Sequence, residues 1–148
     1  MRILGVDFGD ARTGYALSDP TGFLAGGIGT EKTEGIRKAV EITCRKAVET
    51  GAEKIVVGLP VNMNGTEGDR AARVRRFAGM VAQETGLPVE LCDERRTTVM
   101  AAGYMSETGT FGKKRKQSID TLSAQIILQT YLDKQKNQQN NEKNQGNR

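Results

Sequence analysis

The stretch Met1-Arg2-Ile3-Leu4-Gly5-Val6-Asp7-Phe8-Gly9-Asp10-Ala11-Arg12-Thr13-Gly14-Tyr15-Ala16-Leu17-Ser18 decides the fold. An apolar run ends on a carboxylate, a short glycine-containing joint follows, and a second β-type run begins at once. Residues 2 to 8 and 13 to 18 read as strands, and a joint this short can connect them only as an antiparallel pair. A third β-type segment, roughly residues 23 to 30, follows the turn formers Asp19-Pro20-Thr21-Gly22, so the chain opens as a three-stranded meander. Asp7 stands where the first strand leaves the core. A charge left uncompensated beside a buried strand is costly, so a carboxylate there reads as a ligand for a cation ahead of a turn cap.

Beyond the meander the period changes. Ile36, Val40, Cys44, Ala47 and Val48 recur at helical spacing, and Gly51 supplies the stop. Lys54 to Pro60 is a short apolar run, as expected for a strand buried on both faces. A second helix covers about Glu67 to Thr85, with Ala71, Val74, Phe77, Ala78 and Val81 inward. Pro88 to Cys92 forms the next strand and runs into Asp93-Glu94-Arg95. Further helices are expected over about Thr97 to Met105 and from about Ser118 to Lys134, separated by a loop of Gly, Lys and Thr. Residues 135 to 148 carry no apolar side chain and are expected to be a disordered tail, with a glutamine-rich extension of the helix as the alternative. The order βββαβαβα(α) is an α/β fold. It is a mixed five-stranded sheet, three antiparallel strands and then parallel βαβ units, with helices on both faces and one domain over residues 1 to 134. Right-handed crossovers bring the ends of strands one, four and five to one edge, and with them Asp7, the loop from Gly58 to Gly65 and Asp93-Glu94.

Composition removes several chemistries. The chain has no histidine, which excludes imidazole bases, His-ligated zinc and Ser-His-Asp triads. Its two cysteines, Cys44 and Cys92, form no C-x-x-C pair and read as small buried residues of a cytoplasmic protein. No apolar stretch approaches the roughly 18 to 20 residues a membrane span needs, so no membrane association is expected. A formal charge of +4 over 148 residues tilts the expectation toward a polyanionic partner.

Three acidic positions can meet at the common edge. Asp7 is one. Asp93 and Glu94 are neighbours that point to opposite faces of a strand, and the residues alone leave open which of them serves the site. Asp120, in the first turn of the last helix, reads equally well as a partner of the helix dipole. Together they suggest Mg2+ or Mn2+, because hard cations take oxygen ligands and paired ions can hydrolyse a phosphodiester without histidine. The loop through Asn62 and Asn64 lies at the same edge and reads as a substrate-contacting loop. Arg73 and Arg76 read as a solvated helical face. Lys113-Lys114-Arg115-Lys116, just before Asp120, read as phosphate contacts with low sequence specificity. Asp7-Phe8-Gly9 also spells a kinase magnesium tripeptide, but no glycine-rich or catalytic loop precedes it, and no Walker-type phosphate loop occurs.

Four motifs occur in order: Val6-Asp7-Phe8-Gly9 with Arg12 to Ala16 and Ser18-Asp19; Gly58-Leu59-Pro60 with Asn62 to Gly68; Asp93-Glu94-Arg95 with Thr97-Thr98; and Ile119-Asp120 with Ser123 to Gln129. Together they resemble the YqgF family, bacterial ribonuclease H-like proteins known as pre-16S rRNA nucleases or Holliday junction resolvase-like proteins. The resemblance covers about residues 1 to 133. It implies a ribonuclease H-like fold, a divalent metal, a cytoplasmic location and maturation of the 5′ end of 16S rRNA, with pre-ribosomal particles as partners. By position, the family's acidic residues correspond to Asp7, Glu94 and Asp120, which selects Glu94 over Asp93. Arg12, Asn62, Asn64, Arg95 and Arg96 then join the lysine-rich run as candidate nucleic-acid contacts. Arg96 departs from the apolar residue common after Asp-Glu-Arg, and Asp10 adds a carboxylate that either weakens phosphate approach or assists the metals.

The expected activity is metal-dependent endonucleolytic cleavage of structured RNA. Three alternatives stand beside it: a resolvase acting on branched DNA as a dimer, a non-catalytic RNA-binding or transcription factor, and an actin-like ATPase. The last would need a second lobe that 148 residues do not supply.

Overall fold

The computed structural model describes residues 1–96 and 118–146, with backbone alone at 96 and 141–146. The elements are β1 (Ile3–Asp7), β2 (Arg12–Ser18), β3 (Ala25–Lys32), α1 (Ile36–Thr50), β4 (Lys54–Leu59), α2 (Asp69–Thr85), β5 (Val89–Asp93), a 3-10 turn (Glu94–Arg96) and α3 (Ile119–Gly146). The five strands lie in the order β3-β2-β1-β4-β5. β1 pairs antiparallel with β2 and parallel with β4, β2 pairs antiparallel with β3, and β4 pairs parallel with β5. The expected mixed sheet is therefore the observed one. The helix expected over about Thr97 to Met105 lies outside the described residues.

Alternation along the strands divides the core in two. Leu4, Val6, Tyr15, Ile55, Val57 and Leu59 point to the face covered by α1 and α2, where Phe8 and Phe77 stack with ring centroids 4.3 Å apart. Ile3, Ala16 and Val56 point to the other face, where Ala124, Ile127, Leu128, Tyr131 and Leu132 of α3 cover them. That second face is thin because Gly5, Gly14 and Gly58 belong to it. A Cβ at Gly5 would lie 2.7 Å from Leu128 Cβ, one at Gly14 would meet the Asp120 carbonyl, and one at Gly58 would meet Ile127. α3 thus packs directly on strand backbone.

Three expectations are corrected. β3 begins at Ala25, not Phe23, because Asp19 Oδ1 accepts the Phe23 N–H (3.0 Å) and the Thr21 hydroxyl (2.7 Å), which extends the turn. Val48, placed on the inner stripe of α1, is 81% exposed. The buried row runs through Ala39, Val40, Ile42, Thr43 and Ala47 and passes it by. The segment expected to be a disordered tail is helical through Gly146, as the alternative reading had it. No proline or glycine interrupts α3 before that point, and Gln, Lys and Glu are good helix formers. Among the described residues, no helix is long and apolar enough to cross a membrane.

Candidate active site

Asp7 is the last residue of β1 and shares the parity of Ile3 and Gly5, so its carboxyl belongs to the α3 face. It pairs in register with Gly14, whose missing side chain makes room for the start of α3 and hence for Asp120. Glu94 follows β5 with the parity of Cys92, which packs against the same α3 cluster. Its Oε1 lies where a Cβ at Gly58 would stand. The β1–β2 turn between these elements is fixed by buried threonines: Thr33 Oγ1 donates to the Gly9 carbonyl (3.0 Å), and the Thr13 and Thr33 hydroxyls are 3.1 Å apart.

The electrostatics show that the acids share one field. Burial pushes the Asp7 carboxyl up from 3.8 to about 7, with repulsion from Glu94 and then Asp120 adding to it and Arg70 opposing. Burial also raises Glu94, with Arg70 lowering it and Asp93 raising it. Asp120 is one-quarter exposed and lies 3.6 Å from Arg12 Nε. Among the described residues, no group of three or more acidic or cysteine side chains already stands in metal-holding geometry. The donor chemistry nonetheless fits a hard divalent cation. The groups are all carboxylates, and a positive charge beside them would offset both the burial of Asp7 and its repulsion by two neighbours.

The candidate nucleic-acid contacts sort into different situations. Arg12 is 64% exposed at the mouth of the site. Asn62 and Asn64 instead shape their own loop: Asn62 Nδ2 donates to Thr66 Oγ1 (3.0 Å), and Asn64 Oδ1 accepts from the Thr66 N–H (3.0 Å) and hydroxyl (2.6 Å). Arg95 Nη2 lies 3.1 Å from Asp93 Oδ2. Arg96 contributes only its backbone to the described residues, within the 3-10 turn, and Lys113 to Lys116 lie outside them. Asp10, left open between weakening phosphate approach and assisting the metals, is bonded to Arg73 Nε and so fastens the β1–β2 turn to α2. Neither thiol is primed as a nucleophile, since burial raises Cys44 and holds Cys92 at about 11.

Arg70 is the functional candidate that the sequence reading passed over. It is exposed in the first turn of α2, its charge acts on both Asp7 and Glu94, and it makes no ion pair among the described residues. One signal could have found it. The loop after β4 ends at Gly68, so the first turn of α2 must return to the carboxyl edge of the sheet.

A profile of the RuvX family, described as Holliday junction resolvase, matches residues 1–134. A Pelotomaculum thermopropionicum protein named "Putative pre-16S rRNA nuclease" is 47% identical over 136 residues, covering 91% of this chain and 88% of the relative. A Clostridioides difficile protein of the same name is 46% identical over 132 residues, covering 89% and 94%. Among solved structures, Thermus thermophilus RuvC in complex with a Holliday junction substrate matches with a TM-score of 0.59 at 17% identity, over 89% of this chain and 94% of that one. The fowlpox virus Holliday junction resolvase matches at 0.53 and 14%, over 90% and 99%. At such identities the likeness establishes the fold alone, which is ribonuclease H-like.

Proposed function

Because the chain belongs to the RuvX family of Holliday junction resolvases, we propose that it is a divalent-metal-dependent endonuclease on structured RNA, acting in the cytoplasm on the 5′ end of pre-16S rRNA. The nuclease unit is residues 1 to 134, and pre-ribosomal particles are its place of action. The observation that carries this reading is the common field of Asp7, Glu94 and Asp120 on one face of the sheet. The names borne by relatives above 40% identity support RNA as the substrate.

Asp7, Glu94 and Asp120 would hold Mg2+ or Mn2+. A divalent ion bound there supplies Lewis acidity toward the phosphodiester and makes water a stronger nucleophile near neutral pH. Arg70 and Arg12 hold the backbone phosphates beside the acids, and Lys113, Lys114, Arg115 and Lys116 extend that contact along the strand. Burial of Asp7 keeps bulk water from screening the charges it works with.

The family description favours a second substrate, branched DNA. Cleavage of matched precursor rRNA and four-way DNA junctions with manganese, wild type beside Asp7→Asn, separates the two. RNA cleavage that Asp7→Asn abolishes supports the reading, and junction cleavage alone transfers it to DNA. Full activity in Asp7→Asn on either substrate removes Asp7 from the chemistry.

A further inference from the structure

Arg95 belongs by composition with the residues that would meet a polyanion, yet its surroundings bind it to the protein. Its backbone N–H donates to Asp93 Oδ1 at 2.8 Å, and its Nη2 lies 3.1 Å from Asp93 Oδ2, so one carboxylate holds the residue at both ends. Glu94 is the residue between them. Arg95 Nε is buried and has no hydrogen-bond partner among the described residues, and the side chain is 23% exposed where that of Arg12 is 64%. The guanidinium reaches the loop after β4, where a Cβ at Gly65 would lie 3.1 Å from Nη1. Gly65 has φ +88, a conformation that glycine adopts without strain. Its N–H closes the turn onto the Asn62 carbonyl (2.8 Å), while the Asn62 N–H donates to the Thr66 carbonyl (2.9 Å).

These contacts run in a chain from the Gly65 turn through Arg95 to Asp93, on either side of Glu94. A phosphate that drew the guanidinium outward would pull Nη2 from Asp93 and loosen the turn that carries Glu94. We infer that Arg95 is a positioning residue: with Asp93 it pins the turn after β5 against the Gly65 loop and so fixes Glu94 beside Asp7. The inference rests on the nuclease reading for what Glu94 does. The pinning itself does not need that reading.

Arg95→Ala and Arg95→Lys distinguish positioning from phosphate contact, with Asp93→Asn attacking the same link from the carboxylate side. A positioning role predicts that Arg95→Ala lowers the single-turnover rate at saturating RNA about a hundredfold, the scale of a small misplacement of reacting groups. RNA affinity and its salt slope stay at wild-type values. Arg95→Lys does not rescue the rate, because an ammonium cannot reproduce the guanidinium's reach to Asp93 and Gly65 together. Hydrogen exchange at the Asn62 and Gly65 amides rises about tenfold or more in both variants, as expected for a loop that opens locally more often. A salt slope reduced by about one with a normal saturated rate overturns the inference in favour of a phosphate contact. Full rescue by lysine, or unchanged loop exchange, overturns it equally. If Arg95→Ala does not fold, Arg95→Lys and Asp93→Asn carry the same readouts. If the wild type cleaves no nucleic acid, the nuclease reading fails, and amide exchange still decides what Arg95 does.

Discussion

The two faces of the sheet are packed by opposite means. Toward α1 and α2 the strands present Leu4, Val6, Tyr15, Ile55 and Val57, and large side chains from both layers interlock around the Phe8–Phe77 stack. Toward α3 the strands give up side chains at Gly5, Gly14 and Gly58, so that the helix rests on backbone. Every acid of the candidate site belongs to that stripped face. Asp7 lies opposite Gly14, Asp120 rides on the carbonyl that Gly14 admits, and Glu94 fills the space left at Gly58. Bulk on one face gives the domain its stability. Missing Cβ atoms on the other bring three carboxylates from distant segments into one field.

Truncating the filled face should therefore hurt folding most. Phe77→Ala removes a fully buried ring and should cost about 3–5 kcal/mol in urea unfolding, while cleavage in the cold, where the chain remains folded, stays near wild type. On the stripped face the order reverses. Gly58→Ala places a methyl against Glu94 Oε1 and Ile127 Cδ1, and overpacking of this kind costs about 1–3 kcal/mol of stability. Its larger effect should be kinetic, a loss of about a hundredfold in single-turnover cleavage, equivalent to about 2.7 kcal/mol in the barrier. A Gly58→Ala protein that cleaves normally would break the division of labour between the faces.

The filled face was the legible one. Ala71, Val74, Phe77, Ala78 and Val81 are read as the inner stripe of α2 from their spacing alone, and all five are buried. Apolar periodicity is a local signal, and burial amplifies it. Val48 escaped because a helical stripe has two borders and the chain does not say which residues stand just outside them. The stripped face is harder to read, since a glycine that admits a helix looks like a glycine in a turn. Asp7 was legible because a strand end is a local event. The choice between Asp93 and Glu94 was not, because it depends on whether strand parity continues past Cys92. The arginines show the limit most plainly. Arg70, Arg73, Arg75 and Arg95 are alike in one dimension, yet Arg73 holds Asp10, Arg75 forks onto Glu67 at 2.6 and 2.8 Å, Arg95 holds Asp93, and the charge of Arg70 acts on Asp7 and Glu94. Which cations the fold consumes is decided by tertiary contacts that no local pattern encodes.

Charge on the stripped face also carries a signature in pH. The Asp7 carboxyl titrates near 7 in the folded protein against an ordinary 3.8, so its ionisation opposes folding. The penalty is absent below about pH 4, grows as pH rises through the interval to about 7, and is complete above it. In metal-free protein Asp7→Asn should therefore be more stable than wild type at pH 8. The expected gain is on the order of 2 kcal/mol, less than the full value because Asp7 keeps some contact with solvent. Melting curves in chelator from pH 4 to 8 should show the two proteins converging at the acid end. A variant less stable than wild type at pH 8 would mean that the site holds its charge without strain, and the comparison of the two faces would lose its electrostatic half.

The smallest expected effect concerns how α3 is kept on its thin bed. Contact through glycine gives few side-chain atoms to hold a helix, and polar bonds at the sheet edge supplement it. Gln129 Oε1 accepts the Ala25 N–H (2.9 Å), its Nε2 donates to the Phe23 carbonyl (3.0 Å), and Gln125 Nε2 donates to the Ala25 carbonyl (3.1 Å). These side chains serve backbone groups at the start of β3, which is an edge strand among the described residues. Gln129→Ala should cost about 1 kcal/mol, because the freed groups lie near solvent and water can take them. The global change will be slight, but amide exchange at Ala25 should rise well before exchange in the α1–α2 layer does. If instead the whole domain loosens together, α3 and the filled core form one cooperative unit, and the site borrows its rigidity from the face it does not occupy.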